Sequence, residues 1–276
     1  MYTNKELTKL AFKLRKDALD IIMAGKAGHI GGDFSVMDAL VMLYFKHMNI
    51  SPENMDDPDR DRFVLSKGHS VESYYAVLCE KGFLDYETVK NGFSKFCTPY
   101  IGHPNNKLPG IEMNSGSLGH GLPVCVGMAL AGKMDKKDYR VYTIMGDGEL
   151  AEGSVWEGAM AGGHYKLDNL CAVVDRNRLQ ISGSTEYVMS QDDQAQRWAS
   201  FGWHTIVVNG NDMDALDAAF TEAENTKGQP TVIIAETTKG FGGGSVMENK
   251  APWHHKVPTA EEYEQIAANL KAHEEA

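Results

Sequence analysis

Residues 140–180, RVYTIMGDGELAEGSVWEGAMAGGHYKLDNLCAVVDRNRLQ, decide the fold of this chain. Two short apolar runs rich in β-branched residues, 141–145 and 170–174, predict strands that are buried on both faces. The segment between them, 152–165, has the length of a crossover helix, and its small residues allow close packing on a sheet. The stretch therefore predicts a βαβ unit in an α/β fold, with a parallel sheet and helices on both faces.

Polar residues follow both predicted strands. Gly146-Asp147-Gly148 ends the first, and Asn177 lies just beyond the second. A right-handed βαβ unit brings both carboxyl ends to one edge, which is where open α/β sheets bind ligands. Carboxylate and amide oxygens suit Mg²⁺ or Ca²⁺, and the two glycines leave room for a phosphate to approach the backbone. These residues predict a diphosphate bridged by a divalent metal.

Composition limits the classes of function. The chain has 276 residues, a formal net charge of −11 and a pI near 5.4, which argues against a nucleic-acid or anionic-membrane surface. Its four cysteines form no C-x-x-C pair, as expected of reduced thiols in a cytoplasmic protein. The N-terminus does not resemble a signal peptide, and no apolar run reaches the ~20 residues that span a bilayer. We expect one domain over 1–276, with an acidic helix from about 259 to 276.

The remaining patterns extend the same architecture. Further strands are predicted at 62–65, 205–208 and 232–235, and helices at 4–24, 36–45, 71–79, 122–131 and 212–224. Histidines stand in the predicted loops 25–32, 66–69 and 96–110, and residues 240–244 form a glycine-rich loop. Loops at the ends of strands commonly carry binding residues, so these histidines are candidate site residues.

At this point the sequence resembles a known family. Gly146-Asp147-Gly148 followed about thirty residues later by Asn177 matches the thiamin diphosphate motif, and the surrounding segments resemble transketolase. The matching segments follow the family's order over nearly the whole chain: Gly28-His29, Leu65-Ser66-Lys67-Gly68-His69, Gly102-His103-Pro104, Gly116-Ser117-Leu118-Gly119, 146–157, 168–179, Phe201-Gly202-Trp203-His204 and Trp253-His254. The resemblance implies the thiamin diphosphate-binding fold of the transketolase diphosphate domain.

The resemblance also implies a role for individual residues. Mg²⁺ or Ca²⁺ would be held by Asp147, the Asn177 side chain and the Leu179 carbonyl. The residues implied to contact the cofactor are His69, Ser117, Leu118, Gly146, Asp147, Gly148, Glu149, Asn177, His254 and Lys256. The residues implied to act in catalysis are His29, His69, His103, His254 and Glu152. Two bland alternatives stay open: Glu152 could simply complement the helix dipole, and Lys67 and Lys256 could be solvated charges instead of neighbours of the diphosphate.

The implied protein is the N-terminal subunit of a two-chain transketolase, which transfers a two-carbon ketol unit from a ketose phosphate to an aldose phosphate. A separately encoded subunit with the pyrimidine-binding domain would complete each site in an α2β2 heterotetramer, serving the pentose phosphate pathway or a specialised sugar route. One alternative is the α subunit of a 2-oxoacid dehydrogenase, although the histidine loops suit hydroxyl-rich sugars better. The other alternative is a cofactor-binding scaffold without activity.

Overall fold

The computed structural model describes residues 2–191 and 193–275. Five strands form one sheet: β1 (Arg62–Leu65), β2 (Val141–Gly146), β3 (Leu170–Arg176), and, after a short hairpin of β4 (Leu179–Gln180) and β5 (Gly183–Ser184), β6 (His204–Asn209) and β7 (Thr231–Glu236). Their order is β1-β2-β3-β7-β6, and all neighbouring pairs are parallel. The predicted parallel sheet is confirmed, and each predicted strand lies within an observed one.

The helices cover both faces of this sheet. In chain order they are α1 (Asn4–Gly25), α2 (Ile30–Met42), α3 (Val71–Glu80), α4 (Tyr86–Gly92), α5 (Gly121–Met134), α6 (Gly153–His164), α7 (Thr185–Val188), α8 (Gln194–Ser200), α9 (Met213–Asn225) and α10 (Ala260–Glu275). Side chains alternate along β2, with Tyr142 and Ile144 in the core beneath α2, α3 and α9. Val141 and Met145 belong to the opposite core, beneath α5, α6 and α8. The sheet is therefore buried on both faces, as its continuous apolar strands predict.

The crossover between β2 and β3 sets the position of the polar residues. Strand β2 ends in a short 3₁₀ turn, Gly148–Ala151, and α6 then returns the chain to β3. In the parallel register Gly146 lies beside Asp175, so the residues that follow each strand emerge at the same edge of the sheet. None of the helices in the described ranges is long and apolar enough to cross a membrane.

The start of α2 differs from the prediction. Residues 25–32 were expected to form a loop, but the helix begins at Ile30 and includes Gly31 and Gly32. A Cβ on Gly31 would lie 2.6 Å from the carbonyl oxygen of Trp253. The glycines are therefore required by close packing, which outweighs their low intrinsic helix propensity.

Candidate active site

A cavity of about 360 Å³ lies at the carboxyl edge of the sheet. Residues from the ends of β2 and β3, the start of α2 and the loop before α5 line it together with the hairpin after β3. It contains most of the residues named from the sequence: His29, His69, Leu118, Gly146, Asp147, Gly148, Glu149, Asn177, Leu179 and His254. Two larger grooves, beside α10 and beside the first half of α1, contain none of them.

The oxygen atoms predicted to bind metal converge in this cavity. The carboxylate of Asp147 accepts the backbone N–H groups of Gly148 at 2.8 Å and of Arg178 at 2.5 Å. The side-chain oxygen of Asn177 accepts the N–H of Leu179 at 3.1 Å. One carboxylate, one amide oxygen and one backbone carbonyl form a set of hard donors, which fits Mg²⁺ or Ca²⁺.

The electrostatics of Asp147 also fit a cation. Burial, and then the nearby carboxylate of Asp175, raise the pKa of Asp147 to about 6. A divalent ion beside this carboxylate would stabilise its charged form and remove that penalty. The residues present therefore suit the metal that the family motif implies.

Asp175 is itself satisfied by a buried cation. The Lys67 ammonium donates to Asp175 at 2.5 Å and to the Gly32 carbonyl at 3.0 Å, and both side chains of the ion pair are almost fully buried. Ser35 and Thr237 also donate to the Asp175 carboxylate. Burial alone would raise the pKa of Asp175, but these three donors outweigh it, so the net shift is downward. The charge of Lys67 is therefore already balanced within the protein.

Lys239 is a second buried cation, and it was not predicted from the sequence. Its ammonium donates to the Leu179 carbonyl at 3.2 Å and to Nδ1 of His254 at 3.1 Å, and it lines the cavity. Burial, and then the charge of Lys67, lower the pKa of Lys239 to about 8. No carboxylate of the described residues forms an ion pair with Lys239. Lys239 is thus the cation that remains available to an anionic ligand.

Lys256, in contrast, lies outside the cavity. Its ammonium pairs with Glu262 at 2.5 Å and stands 4.1 Å from the centre of the Trp253 ring. The predicted contact between Lys256 and the cofactor has no counterpart in this arrangement, because the side chain is directed to α10. The position of ligands at strand ends could have identified the missed lysine instead, since Lys239 follows shortly after β7.

Five histidine rings meet at the mouth of the cavity. The ring centre of His29 lies 5.2 Å from that of His69, 5.9 Å from His254, 6.2 Å from His103 and 4.6 Å from His255, which was expected at the surface. Burial is the largest cause that lowers the pKa of His29 to about 4 and that of His254 to about 3, and the pKa values of His69 and His103 are lowered as well. These four rings are neutral near pH 7 and can donate and accept hydrogen bonds.

Glu149 connects two loops of the site. Its buried carboxylate accepts the N–H groups of Gly119 at 2.8 Å and of Gly146 at 3.0 Å, and the hydroxyl of Ser66. Burial, the largest influence, raises the pKa of Glu149 against these three donors. Although Glu149 lines the cavity, its oxygens are occupied by protein donors. The geometry therefore makes it a brace between the loop before α5 and the end of β2.

Two predicted residues lie beside the cavity and do not line it. Ser117 is exposed in the loop before α5, next to Leu118. Glu152 precedes α6, is exposed, and packs its Cβ against Gly119 without capping the helix. Both therefore stand at the surface around the opening, and their roles stay predictions.

Comparison with known proteins agrees with this geometry. Residues 7–273 match the family model described as transketolase, thiamine diphosphate binding domain. A subunit of the apulose-4-phosphate transketolase of Phocaeicola vulgatus is 51% identical over 94% of this chain and 91% of its own length. The 6-deoxy-6-sulfo-D-fructose transketolase subunit SqwG of Clostridium sp. is 37% identical over 96% of each protein.

Full-length transketolases contain this chain as one part. Human transketolase is 41% identical over 96% of the chain and 42% of its own length. The crystal structure of transketolase from Campylobacter jejuni superimposes with a TM-score of 0.92 at 27% identity, over 98% of the chain and 43% of that protein. The chain thus spans less than half of these larger relatives. By sequence and by fold, it belongs to the transketolase family and corresponds to the thiamine diphosphate-binding domain.

Proposed function

We propose that this chain works as the N-terminal subunit of a two-chain transketolase and that its ketose phosphate is apulose 4-phosphate. The N-terminal transketolase assignment follows from the family, whose enzymes transfer a two-carbon ketol unit. The narrower proposal is supported by relatives from P. vulgatus and Actinobacillus succinogenes, both named as subunits of apulose-4-phosphate transketolase and matched over 91% and 96% of their lengths. These relatives are transketolases, so neither the 2-oxoacid dehydrogenase alternative nor the inactive scaffold is favoured.

The observation that carries the proposal is the convergence at the carboxyl edge of β2 and β3. Asp147, the Asn177 side chain and the Leu179 carbonyl would hold Mg²⁺ or Ca²⁺ between the two phosphates of thiamin diphosphate. The available cation of Lys239 and the N–H groups of the loop before α5 would neutralise the remaining phosphate charge. Bound thiamin diphosphate supplies the stabilised carbanion that cleavage next to a carbonyl requires.

The histidines would act on the sugar. Because an ammonium group can only donate, Nδ1 of His254 accepts from Lys239, and the proton of the neutral ring is on Nε2. His254 therefore offers a donor, and His29, His69 and His103 add neutral groups that can donate to or accept from hydroxyls. Such rings can orient a polyhydroxylated substrate and move protons on it without adding a fixed charge.

A separately encoded partner is expected to complete the site. This partner would bring the pyrimidine-binding domain, and two copies of each chain would form an α2β2 assembly. Exposed apolar side chains on neighbouring helices support this proposal: Val124 and Met134 on α5, and Met160 on α6. Glu152 lies at the start of α6, where it could communicate between two sites across such an interface.

The cellular setting is also a proposal. Cys79, Cys97, Cys125 and Cys171 are free thiols, which suits the reducing cytoplasm. The identity of the relatives favours a dedicated route for apulose 4-phosphate over the pentose phosphate pathway.

The experiment is reconstitution of the chain with its candidate partner, thiamin diphosphate and Mg²⁺. Turnover would be measured with apulose 4-phosphate, 6-deoxy-6-sulfo-D-fructose, xylulose 5-phosphate and fructose 6-phosphate, each with the same aldose phosphate acceptor. We expect little turnover from the chain alone, and the highest kcat/KM for apulose 4-phosphate in the pair. Asn177→Ala should abolish both turnover and thermal stabilisation by cofactor with metal, whereas the surface variant Lys133→Met should keep both. Preference for another ketose would refute the substrate, and robust activity of the chain alone would refute the split site.

A further inference from the structure

Two carboxyl groups lie buried together behind the histidines. Asp33 in the first turn of α2 and Glu72 in the first turn of α3 are both 0% exposed. Their carboxyl groups are within hydrogen-bonding reach of one another. Lys67 is the nearby cation, and its ammonium is already paired with Asp175. Two ionised carboxylates in this position would repel each other in a medium that screens charge poorly.

The hydrogen bonds leave these groups short of a donor. Oδ1 of Asp33 accepts the N–H of Ser73 at 2.9 Å, and the Ser73 hydroxyl donates to the Asp33 carbonyl at 2.9 Å. Oδ2 of Asp33 and both carboxyl oxygens of Glu72 have no donor within the described part of the chain. Buried polar atoms are rarely left unpaired. One proton on the pair would give Asp33 its missing donor and remove one of the two charges.

The pair is placed where it can control two of the histidines. His29 is the residue before α2, four positions ahead of Asp33, and His69 stands three positions ahead of Glu72. A Cβ on Gly28 would lie 2.8 Å from Oε1 of Glu72, so the chain that leads to His29 packs directly on this carboxyl group. The contact thus joins the two helix starts whose preceding loops carry the histidine rings.

We propose that Asp33 and Glu72 share one proton and act as a positioning pair that fixes the spacing between His29 and His69. The pair does not touch the substrate; it acts through the two histidines. A donor and an acceptor at this point hold the first turns of α2 and α3 together. Two like charges, or an apolar replacement, would let them separate.

The surroundings indicate which residue carries the proton. Burial, and then the charge of Asp33, raise the pKa of Glu72 well above its ordinary value. Burial raises the pKa of Asp33 to about 6, against the opposing effects of Glu72, the Ser73 donors and Lys67. Those donors favour the charge on Asp33. Glu72 is therefore the protonated partner, and the other groups that face it are the backbone N–H of His29 and the hydroxyl-bearing Tyr75.

The shared proton can be measured on the chain alone by infrared spectroscopy at pH 8. We expect a carbonyl stretch of a protonated carboxylic acid that shifts in D₂O and disappears in Glu72→Gln. Glu80→Gln is the matched control, because Glu80 belongs to the same helix but pairs with Lys13 at the surface. The control should keep the band. A wild-type spectrum without the band, or a band that survives Glu72→Gln, overturns the shared proton.

The positioning role is tested in the reconstituted enzyme, and this part rests on the proposed function. Glu72→Gln retains a donor to Asp33, so kcat/KM for the ketose phosphate should stay within about twofold of wild type. Glu72→Met has similar size but no donor, and a displacement of roughly 1 Å at the histidines should lower kcat/KM by up to about 100-fold. Thiamin diphosphate affinity should be unchanged in both variants, because its predicted ligands lie on β2, β3 and the hairpin.

The outcomes separate this inference from the proposed function. Equal kcat/KM for the Met and Gln variants overturns the positioning role. If Glu72→Met does not fold, Glu72→Gln decides alone, and a loss of about tenfold or more with that variant contradicts the inference. If the reconstituted pair shows no ketol transfer at all, the proposed function fails, while the infrared result still decides whether the proton is shared.

Discussion

Replacing Lys67 with methionine tests how strongly the buried ion pair supports the site. The substitution keeps most of the side-chain length but leaves the Asp175 carboxylate buried with only hydroxyl and amide donors. Removing one partner of a buried pair costs about 3–5 kcal/mol, because the other charge stays desolvated. For a chain of this size, each kcal/mol corresponds to roughly 2–4 °C in Tm, so the melting temperature should fall by about 6–20 °C.

The assay is urea and thermal unfolding of the chain alone. The matched control is Lys133→Met, because Lys133 pairs with Asp168 at the surface, where the side chains are 37% and 20% exposed. Such a pair contributes about 0–1 kcal/mol. Adding Asp175→Asn to Lys67→Met should recover most of the lost stability, since it removes the unpaired charge. If Lys67→Met destabilises the chain no more than the control does, the ion pair is not as desolvated as the structure indicates.

Acid titration gives the same reasoning an independent sign. The pKa of Asp175 is lowered in the folded chain, so its contribution is present above its unfolded value near pH 4 and is lost as pH falls through the lower folded value. Lys67→Met removes a cause of that depression. The stability difference between wild type and Lys67→Met should therefore be largest near neutral pH and should shrink on acidification. A difference that is constant between pH 7 and pH 3 would contradict the assigned cause.

Two further comparisons use matched pairs. In the reconstituted enzyme, Lys239→Met should weaken thiamin diphosphate binding by about tenfold or more, whereas Lys256→Met should change it little; calorimetric titration would detect the reverse order and so reject Lys239 as the available cation. On α5, a Cβ on Gly121 would lie 2.8 Å from Cα of Ser66, so Gly121→Ala should lower the free energy of unfolding by about 1–3 kcal/mol. Gly127→Ala meets nothing within 4 Å and should raise it by up to about 1 kcal/mol, and equal effects would contradict the packing.

The sheet and its polar edge were predictable because they depend on local patterns. Continuous apolar runs identify strands buried on both faces, and the handedness of a βαβ unit then forces Asp147 and Asn177 to the same edge. The observed parallel register of β2 and β3 agrees with that inference. Nothing beyond strand identity and crossover chirality was needed, so this part of the site follows directly from the sequence.

The remaining parts depend on contacts between distant segments. Nothing in the sequence indicates that the charge of Lys67 is balanced by Asp175, 108 positions away, or that the Leu179 carbonyl accepts from Lys239. The resemblance favoured Lys256, which adjoins the motif histidine, but its direction is set by Glu262 on α10. Side-chain direction after a strand or turn is decided by tertiary packing, which spacing alone does not describe.

The distribution of charge explains how an acidic chain can bind an anion. The formal charge of −11 describes the long-range field, which is screened over about 8–10 Å at physiological salt. Inside the cavity the balance is different: Lys67 cancels Asp175, and Glu149 is neutralised by backbone and hydroxyl donors. Among the charged groups that line the cavity, Asp147 and Lys239 are then left without a full counterpart. A divalent ion on Asp147 would make the local sum positive, so the affinity for a diphosphate should depend on the metal far more than on the net charge of the protein.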